Sequence, residues 1–187
     1  MNTPFFYGLV LALVLIVHNL LGFFLGFQTD KIGHAMAYNL IPIVAYAVIL
    51  WLSIKAVSEE AKDKGLSYGK GVLTGFLVSL YASAISSVYG FIHFTFINTS
   101  YADYQIDALR RVWAAKGMQE VQMATAEKFS RFFMSPAISS IGSFFAMVIL
   151  ATLISLIFAI FLKRKPIETF PEAAVTEDAS PTPPPVV

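Results

Sequence analysis

Residues 134–162 read M-S-P-A-I-S-S-I-G-S-F-F-A-M-V-I-L-A-T-L-I-S-L-I-F-A-I-F-L, a run of 29 without one Asp, Glu, Lys or Arg. At ~1.5 Å per residue a helix of that length exceeds the ~30 Å hydrocarbon core of a bilayer. Ser135 and Pro136 open it with an N-cap and a first-turn residue. Three further stretches, 4–27, 33–54 and 71–97, are equally free of acidic and basic side chains. A helix that is apolar all round can lie inside a large soluble core, but a chain of 187 residues has nothing with which to cover four of them. The expected fold class is an all-α membrane protein with four transmembrane helices.

Composition agrees. Hydrophobic residues make up 57% of the chain and charged ones 13%, against ~25% charged in an ordinary soluble domain. The 13 Lys and Arg nearly balance the 12 Asp and Glu, which sets nucleic acid aside as a partner because its footprint is a clustered basic excess. With no cysteine, disulfides, thiolate metal sites, iron–sulfur clusters and cysteine nucleophiles are excluded. Lipid anchors are excluded too, since the second residue is Asn2 and no thiol can be acylated or prenylated. The first stretch lacks a basic leader and outruns the ~7–15 residue core of a signal peptide, so it reads as a retained span.

The connections differ. Gln28, Thr29, Asp30 and Lys31 close a short first hairpin, making the first two helices antiparallel neighbours. Residues 98–133 form a 36-residue outer loop with helical signals of its own. Ser100 and Asp103 have capping-box spacing. Ile106, Leu109, Val112 and Trp113 recur at helical intervals. Gly117 is placed as a helix stop, and a second short helix is expected from Met118 or Gln119 through Phe129. The loop is thus expected to be an extramembrane helical hairpin between helices 3 and 4. Its Trp113, Phe129, Phe132 and Phe133 suit packing on the helix ends or the membrane interface, or docking of a partner. Residues 1–165 form the transmembrane domain on this reading. Residues 166–187, dense in proline, form a disordered tail.

Basic residues near the span ends give the orientation. The side carrying the termini holds Lys55, Lys62, Lys64, Lys70, Lys163, Arg164 and Lys165, and the other Lys31, Arg110, Arg111, Lys116, Lys128 and Arg131. The Lys163–Lys165 triplet abuts the fourth span, so both termini are expected in the cytoplasm.

Within the spans the third helix carries Gly71, Gly75, Ser79, Ser83 and Ser87 at every fourth position. Small residues in such register let helices approach closely in lipid, which makes this the buried helix of the bundle. A serine-lined path through Ser79, Ser83, Ser86 and Ser87 is the functional alternative. Gly22 with Gly26, and Gly142 with Ala146, are smaller patches of the same kind. His18 and Asn19 form the most polar pair in the first span, and an ionisable side chain at membrane depth is a functional candidate. The milder reading bonds His18 to a helix-three serine. Asn39 and Pro42 read as a kink.

His18, His34 and His93 lack metal-ligand spacing. There is no phosphate-binding glycine loop, G-x-S-x-G elbow, H-E-x-x-H or carboxylate pair, so neither enzyme activity nor a cofactor is expected. No acid, Lys or Arg lies within a span and no internal repeat aligns, as many transporters would show.

The run S-S-V-Y-G-F-I-H-F-T-F-I-N-T-S-Y-A-D-Y of residues 86–104, A-K-G-M-Q-E of 115–120, F-F-M-S-P of 132–136 and the closing L-I-F-A-I-F-L-K-R-K resemble domain-of-unknown-function family 4199. The resemblance covers most of the chain to Lys165. It implies a small four-helix bacterial protein of the inner membrane, chiefly from Bacteroidota, with its long extracytoplasmic loop between helices three and four. It implies no activity, substrate or site residue.

Two functions are expected in order. The first is a non-enzymatic accessory or interaction protein, possessing a membrane-protein partner or a second copy of itself, with Arg110 and Trp113 on its contact surface. The second is a small channel or transporter with a polar path along His18, Asn19, Ser79, Ser83 and Ser87.

Overall fold

The structure, a computed structural model, describes residues 2–29, 31–32, 35–61 and 64–166. Its helices are α1 (Thr3–Phe24), α2 (Ile41–Glu60), α3 (Tyr68–Ile92), α4 (Tyr101–Ala115), α5 (Glu120–Met134) and α6 (Pro136–Leu162). A 3-10 turn, Tyr38–Leu40, leads into α2, and a π turn, His93–Ile97, prolongs α3. Four units, Thr3–Phe24, Tyr38–Glu60, Tyr68–Ile97 and Pro136–Leu162, are long and apolar enough to cross a membrane. Among the described residues there is no strand. The chain is an all-α membrane protein, with α4 and α5 as the hairpin between its third and fourth spans. His34 and residues 167–187 of the proline-rich tail lie outside the described residues.

The second span departs from the stretch 33–54 at both ends. Pro42 stands in the first turn of α2, where its missing N–H would have had no partner anyway, so it starts the helix and makes no kink. At the other end the helix continues past the apolar run, with Lys55 and Glu59 paired at 3.8 Å one turn apart. The third span begins at Tyr68, earlier than Gly71, because Ser67 caps it by accepting the Lys70 N–H at 3.3 Å.

Packing centres on α3, which lies against α1, α2 and α6. The small-residue register explains this. A Cβ placed on Gly71 would stand 3.1 Å from the Cβ of Ala159. One placed on Gly75 would stand 1.8 Å from Ser155 Oγ and 2.5 Å from its Cβ. The two helices touch almost backbone to backbone, which only a missing side chain permits. Leu11, Tyr46, Leu50, Val78, Ala82 and Ala151 form the buried cluster beside this seam. Leu13, Val17, Val44, Leu73, Ile149 and Leu153 face outward, an apolar surface suited to acyl chains.

At the end bearing the termini, the α2–α3 connection and the exit of α6 are paired: Leu66 and Arg164 exchange two backbone hydrogen bonds of 3.0 Å. Thr3 Oγ1 donates to Glu60 Oε1 at 2.5 Å there, joining α1 to α2.

At the opposite end, Gly117 at φ +74° terminates α4, as its position predicts. The capping box forms at α5, between Gln119 and Gln122, and not at Ser100 and Asp103. Ser100 has ψ 4° and its side chain makes no cap bond, whereas a capping serine needs extended backbone to reach the helix. Ile106 is 1% exposed and anchors α4. Arg110 pairs with Glu120 at 3.2 Å and Glu127 at 3.1 Å, and Arg131 with Asp103 at 2.7 Å and Glu127 at 2.9 Å. Those carboxylates hold the Arg131 guanidinium above its usual range. Glu127 joins both arginines, so Glu127→Gln is expected to loosen the hairpin by about 1 kcal/mol, the scale of an exposed ion-pair network. Hydrogen exchange would speed up in α4 and α5 and stay unchanged in the spans; uniform exchange rates across the variant and parent would refute it.

Candidate functional site

The last two turns of α1 bring His18 and Asn19 towards the hairpin end of the bundle. Both line a cavity of about 310 Å³. Ser83, Ser86 and Ser87 of α3 form one wall, and Ser139, Ser140 and Ser143 of α6 another. Tyr46 of α2 and Tyr101 of α4 also line it. A second cavity, of about 670 Å³, adjoins it under the α1–α2 connection and shares His18, Asn19, Pro42 and Tyr101 with the first.

Hydroxyls surround the first cavity because two serine registers meet there. On α3, Ser83 and Ser87 continue the register of Gly71 and Gly75, one turn apart each. On α6, Ser139 and Ser143 are likewise one turn apart, and Ser140 turns inward against α3: a Cβ on Gly90 would stand 3.8 Å from its Oγ. Ser139 and Ser143 donate to backbone carbonyls of their own helix at 3.3 Å and 2.7 Å, which leaves their oxygens free to accept.

Among the described residues four side-chain oxygens are buried without a hydrogen-bond partner, Asn19 Oδ1, Ser86 Oγ, Thr95 Oγ1 and Ser140 Oγ, and Asn19, Ser86 and Ser140 belong to the residues around the cavity. Ser140 as a whole is 8% exposed. Among the described residues the lining holds no Asp, Glu, Lys or Arg. Burial pushes the Tyr101 phenol up more than its bond from Gln105 lowers it, so this group is an uncharged hydroxyl at neutral pH.

The inner end is shut. Tyr46 OH and Ser83 Oγ are hydrogen-bonded at 3.2 Å, and beyond them Leu11, Leu50, Val78 and Ala82 are fully buried. Ser79 belongs to this closed part: it is fully buried and donates to Phe76 O at 2.8 Å. His18, Asn19, Ser83 and Ser87 are therefore gathered at one cavity and Ser79 is not. Its register is right, but it lies a turn too deep.

His18 bonds no serine. Its Nε2 donates to Tyr38 O at 3.1 Å, its ring stacks on Tyr38 with centroids 4.1 Å apart, and the Tyr38 hydroxyl donates back to His18 O. Beside it lies a polar cluster. Gln28 Nε2 donates to Asn19 O at 2.9 Å, and Gln28 Oε1 accepts from Asn98 Nδ2 at 3.2 Å and from His93 Nε2 at 3.0 Å. His93 Nδ1 and the Tyr89 hydroxyl are hydrogen-bonded at 3.1 Å, so both ring nitrogens are engaged. His93 is 0% exposed. The π turn makes this possible, because its bond from Asn98 N to His93 O returns residues five apart to the same side.

Arg110 is engaged inside the hairpin by Glu120 and Glu127, and Trp113 is half-buried on α4. Neither approaches the cavity. The α6 serines, Tyr46, Gln28 and Asn98 are site residues that helical periodicity did not single out. The S-S-x-x-S spacing of residues 139–143 at one end of an apolar run was the available signal.

The family model described as Protein of unknown function (DUF4199) matches residues 6–164. No curated protein and no solved structure matches the chain.

Proposed function

We propose, from the premise that the chain belongs to the DUF4199 family, whose description assigns no activity, that it is a non-enzymatic solute-binding protein of the transporter type. On this reading a small polar solute enters the cavity from the hairpin side, and Tyr46 with Ser83 closes the inner end. One observation carries the reading: a cavity of about 310 Å³ within the bundle is lined by His18, Asn19 and the serines of two facing helices, Ser83, Ser86 and Ser87 with Ser139, Ser140 and Ser143. An inner end closed by apolar packing favours a pocket that opens in turn over a standing pore. Ser139 and Ser143 bond to backbone carbonyls and Ser83 to Tyr46, and among the described residues no base is bonded to a cavity serine, which favours binding over catalysis.

The basic residues at the paired Leu66–Arg164 end support cytoplasmic termini and an extracytoplasmic hairpin, and the family resemblance favours a bacterial inner membrane as the setting. A second reading, an accessory protein or homo-oligomer working by contact, is favoured by exposed Phe129, Phe132 and Phe133 on α5. Arg110 contributes less to it than the sequence suggests, its guanidinium being occupied within the hairpin.

The chain has no cysteine, so single-cysteine variants test the cavity cleanly. Ser87→Cys, on a cavity-lining residue that is half-buried, is expected to react with a polar, membrane-impermeant thiol reagent from the hairpin side alone. Ser155→Cys, beyond the closure, is expected to stay unmodified under the same conditions. Protection of Ser87→Cys from both sides, or equal labelling of the two, would rule the solute pocket out.

A further inference from the structure

The cavity is also open to one side, between two spans, and that opening selects the kind of molecule it takes. We infer that its occupant is an uncharged amphiphile, with its polar end in the cavity and its chain in the surrounding bilayer. This rests on the solute-binding reading and names the class of solute.

The opening shows in how far the facing stripes of α2 and α6 stay covered. On α6 one face carries Ser139, Ser143, Met147, Ile154 and Phe158. Met147, Ile154 and Phe158 pack against the buried cluster that holds Tyr46 and Leu50 of α2, and the Phe158 ring meets Trp51 edge-on at 5.3 Å. Ser143, one turn nearer the hairpin on the same face, is exposed although it lines the cavity. Beside it, a Cβ built on Gly142 would meet nothing within 4 Å. The same limit holds on α2: Leu50 and Ile54 are fully buried, whereas Ile43, earlier on that face, is 45% exposed. The two helices pack together over the half nearer the termini and part over the half nearer the hairpin.

This gap lies at membrane depth. α6 has 27 residues, ~40 Å of helix against a hydrocarbon core of ~30 Å. Ser143 stands two turns, ~10 Å, from its start. A centred span holds that residue below headgroup level, so the mouth faces acyl chains. A molecule with a chain enters there without leaving the bilayer.

Both parts of an amphiphile find their complement. Asn19, Ser87 and Ser143 share the lining with Leu15, Ile16 and Met147, a mixed wall suited to the junction of a polar end and a chain. Outside, Ile43 on one side and Ala146 and Ile149 on the other continue the lipid-facing surface. An ionised head would meet no opposite charge among the described lining residues, and desolvating an ion without a partner is strongly unfavourable. A hydroxyl or ester end meets no such penalty.

The test uses the full chain in phosphatidylcholine liposomes that contain a diacylglycerol with a photoreactive diazirine near the carboxyl end of one acyl chain. Illumination is expected to concentrate adducts at the mouth, on Ile43 and on the Ser143 to Met147 turn. Added dioleoylglycerol should reduce those adducts severalfold. Glycerol should not, nor should dioleoyl phosphatidate, which has the same chains on an anionic head. Ser143→Phe, which fills the gap, should also reduce them severalfold, and Leu153→Phe, on the lipid face, should leave them unchanged. The competition series on the parent chain decides the matter whether or not Ser143→Phe folds. Adducts spread evenly over the lipid-facing residues, or unmoved by dioleoylglycerol, would overturn the amphiphile and leave the solute-binding reading standing if Ser87→Cys is still labelled from the hairpin side. The same result with Ser87→Cys unlabelled would overturn both. Competition by phosphatidate as strong as that by dioleoylglycerol would overturn the uncharged head, and competition by glycerol alone would replace the amphiphile with a water-borne solute.

Discussion

Gly75→Ala is expected to be strongly destabilising, because it forces apart the seam between α3 and α6. The new Cβ would stand 1.8 Å from Ser155 Oγ and 2.5 Å from Ser155 Cβ. Rotating the serine side chain removes the first clash and leaves the second, so α3 and α6 must separate along their length. Overpacking costs ~1–3 kcal/mol and occasionally more, and this substitution belongs at the top of that range because backbone, not a flexible tip, has to yield. The partner substitution offers a sharp check. Ser155→Gly removes both clashing atoms, so Gly75→Ala with Ser155→Gly is expected to regain most of the loss. It would remain short of the parent by about 1 kcal/mol, the cost of glycine within a helix. Thermal unfolding in detergent, followed by far-ultraviolet circular dichroism, measures all three variants. A Gly75→Ala protein as stable as the parent, or a double variant no better than the single, would show that the seam is looser than described.

Gln28→Leu should have the next largest effect. A single side chain there serves Asn19 O, His93 Nε2 and Asn98 Nδ2, and leucine would strand all three. Leaving a buried group unpaired costs ~1–3 kcal/mol, while hydrogen bonds within membranes average only ~0.6 kcal/mol. The combined loss is therefore on the order of 3 kcal/mol. Because the groups act as a unit, Gln28→Leu with His93→Leu should cost clearly less than the sum of the two singles. Strict additivity would mean that the cluster is a set of independent contacts. The imidazole signals of His93 give a second readout, since loss of the Gln28 acceptor should shift the tautomer balance.

The four spans and the hairpin were visible in the sequence because each rests on a local property. An uncharged run is long or it is not, and a glycine at the end of an amphipathic stretch can take the positive φ of Gly117. Boundaries moved where capping outweighed hydropathy, as at Ser67 and Pro42. The site was half visible. His18, Asn19, Ser83 and Ser87 could be named because a polar group inside an apolar run is conspicuous, and a register of small residues identifies a helix face. That register could not say how far along α3 the face stays open, which depends on where Leu11 and Leu50 close in from other helices, so Ser79 was grouped with it. The Gln28 cluster was hidden for a different reason. It joins a loop residue to residues on either side of a π turn, and a pattern built on 3.6 residues per turn does not foresee which side Asn98 will face.

The close seam between α3 and α6 also bears on how the chain is made. α3 is the least apolar of the four spans and α6 the most, and between them come the whole of α4 and α5. A nascent chain released span by span offers the glycines and serines of α3 to the lipid before their principal partner exists. α6 therefore does more than add a span: its arrival gives α3 the partner against which its glycines and serines pack.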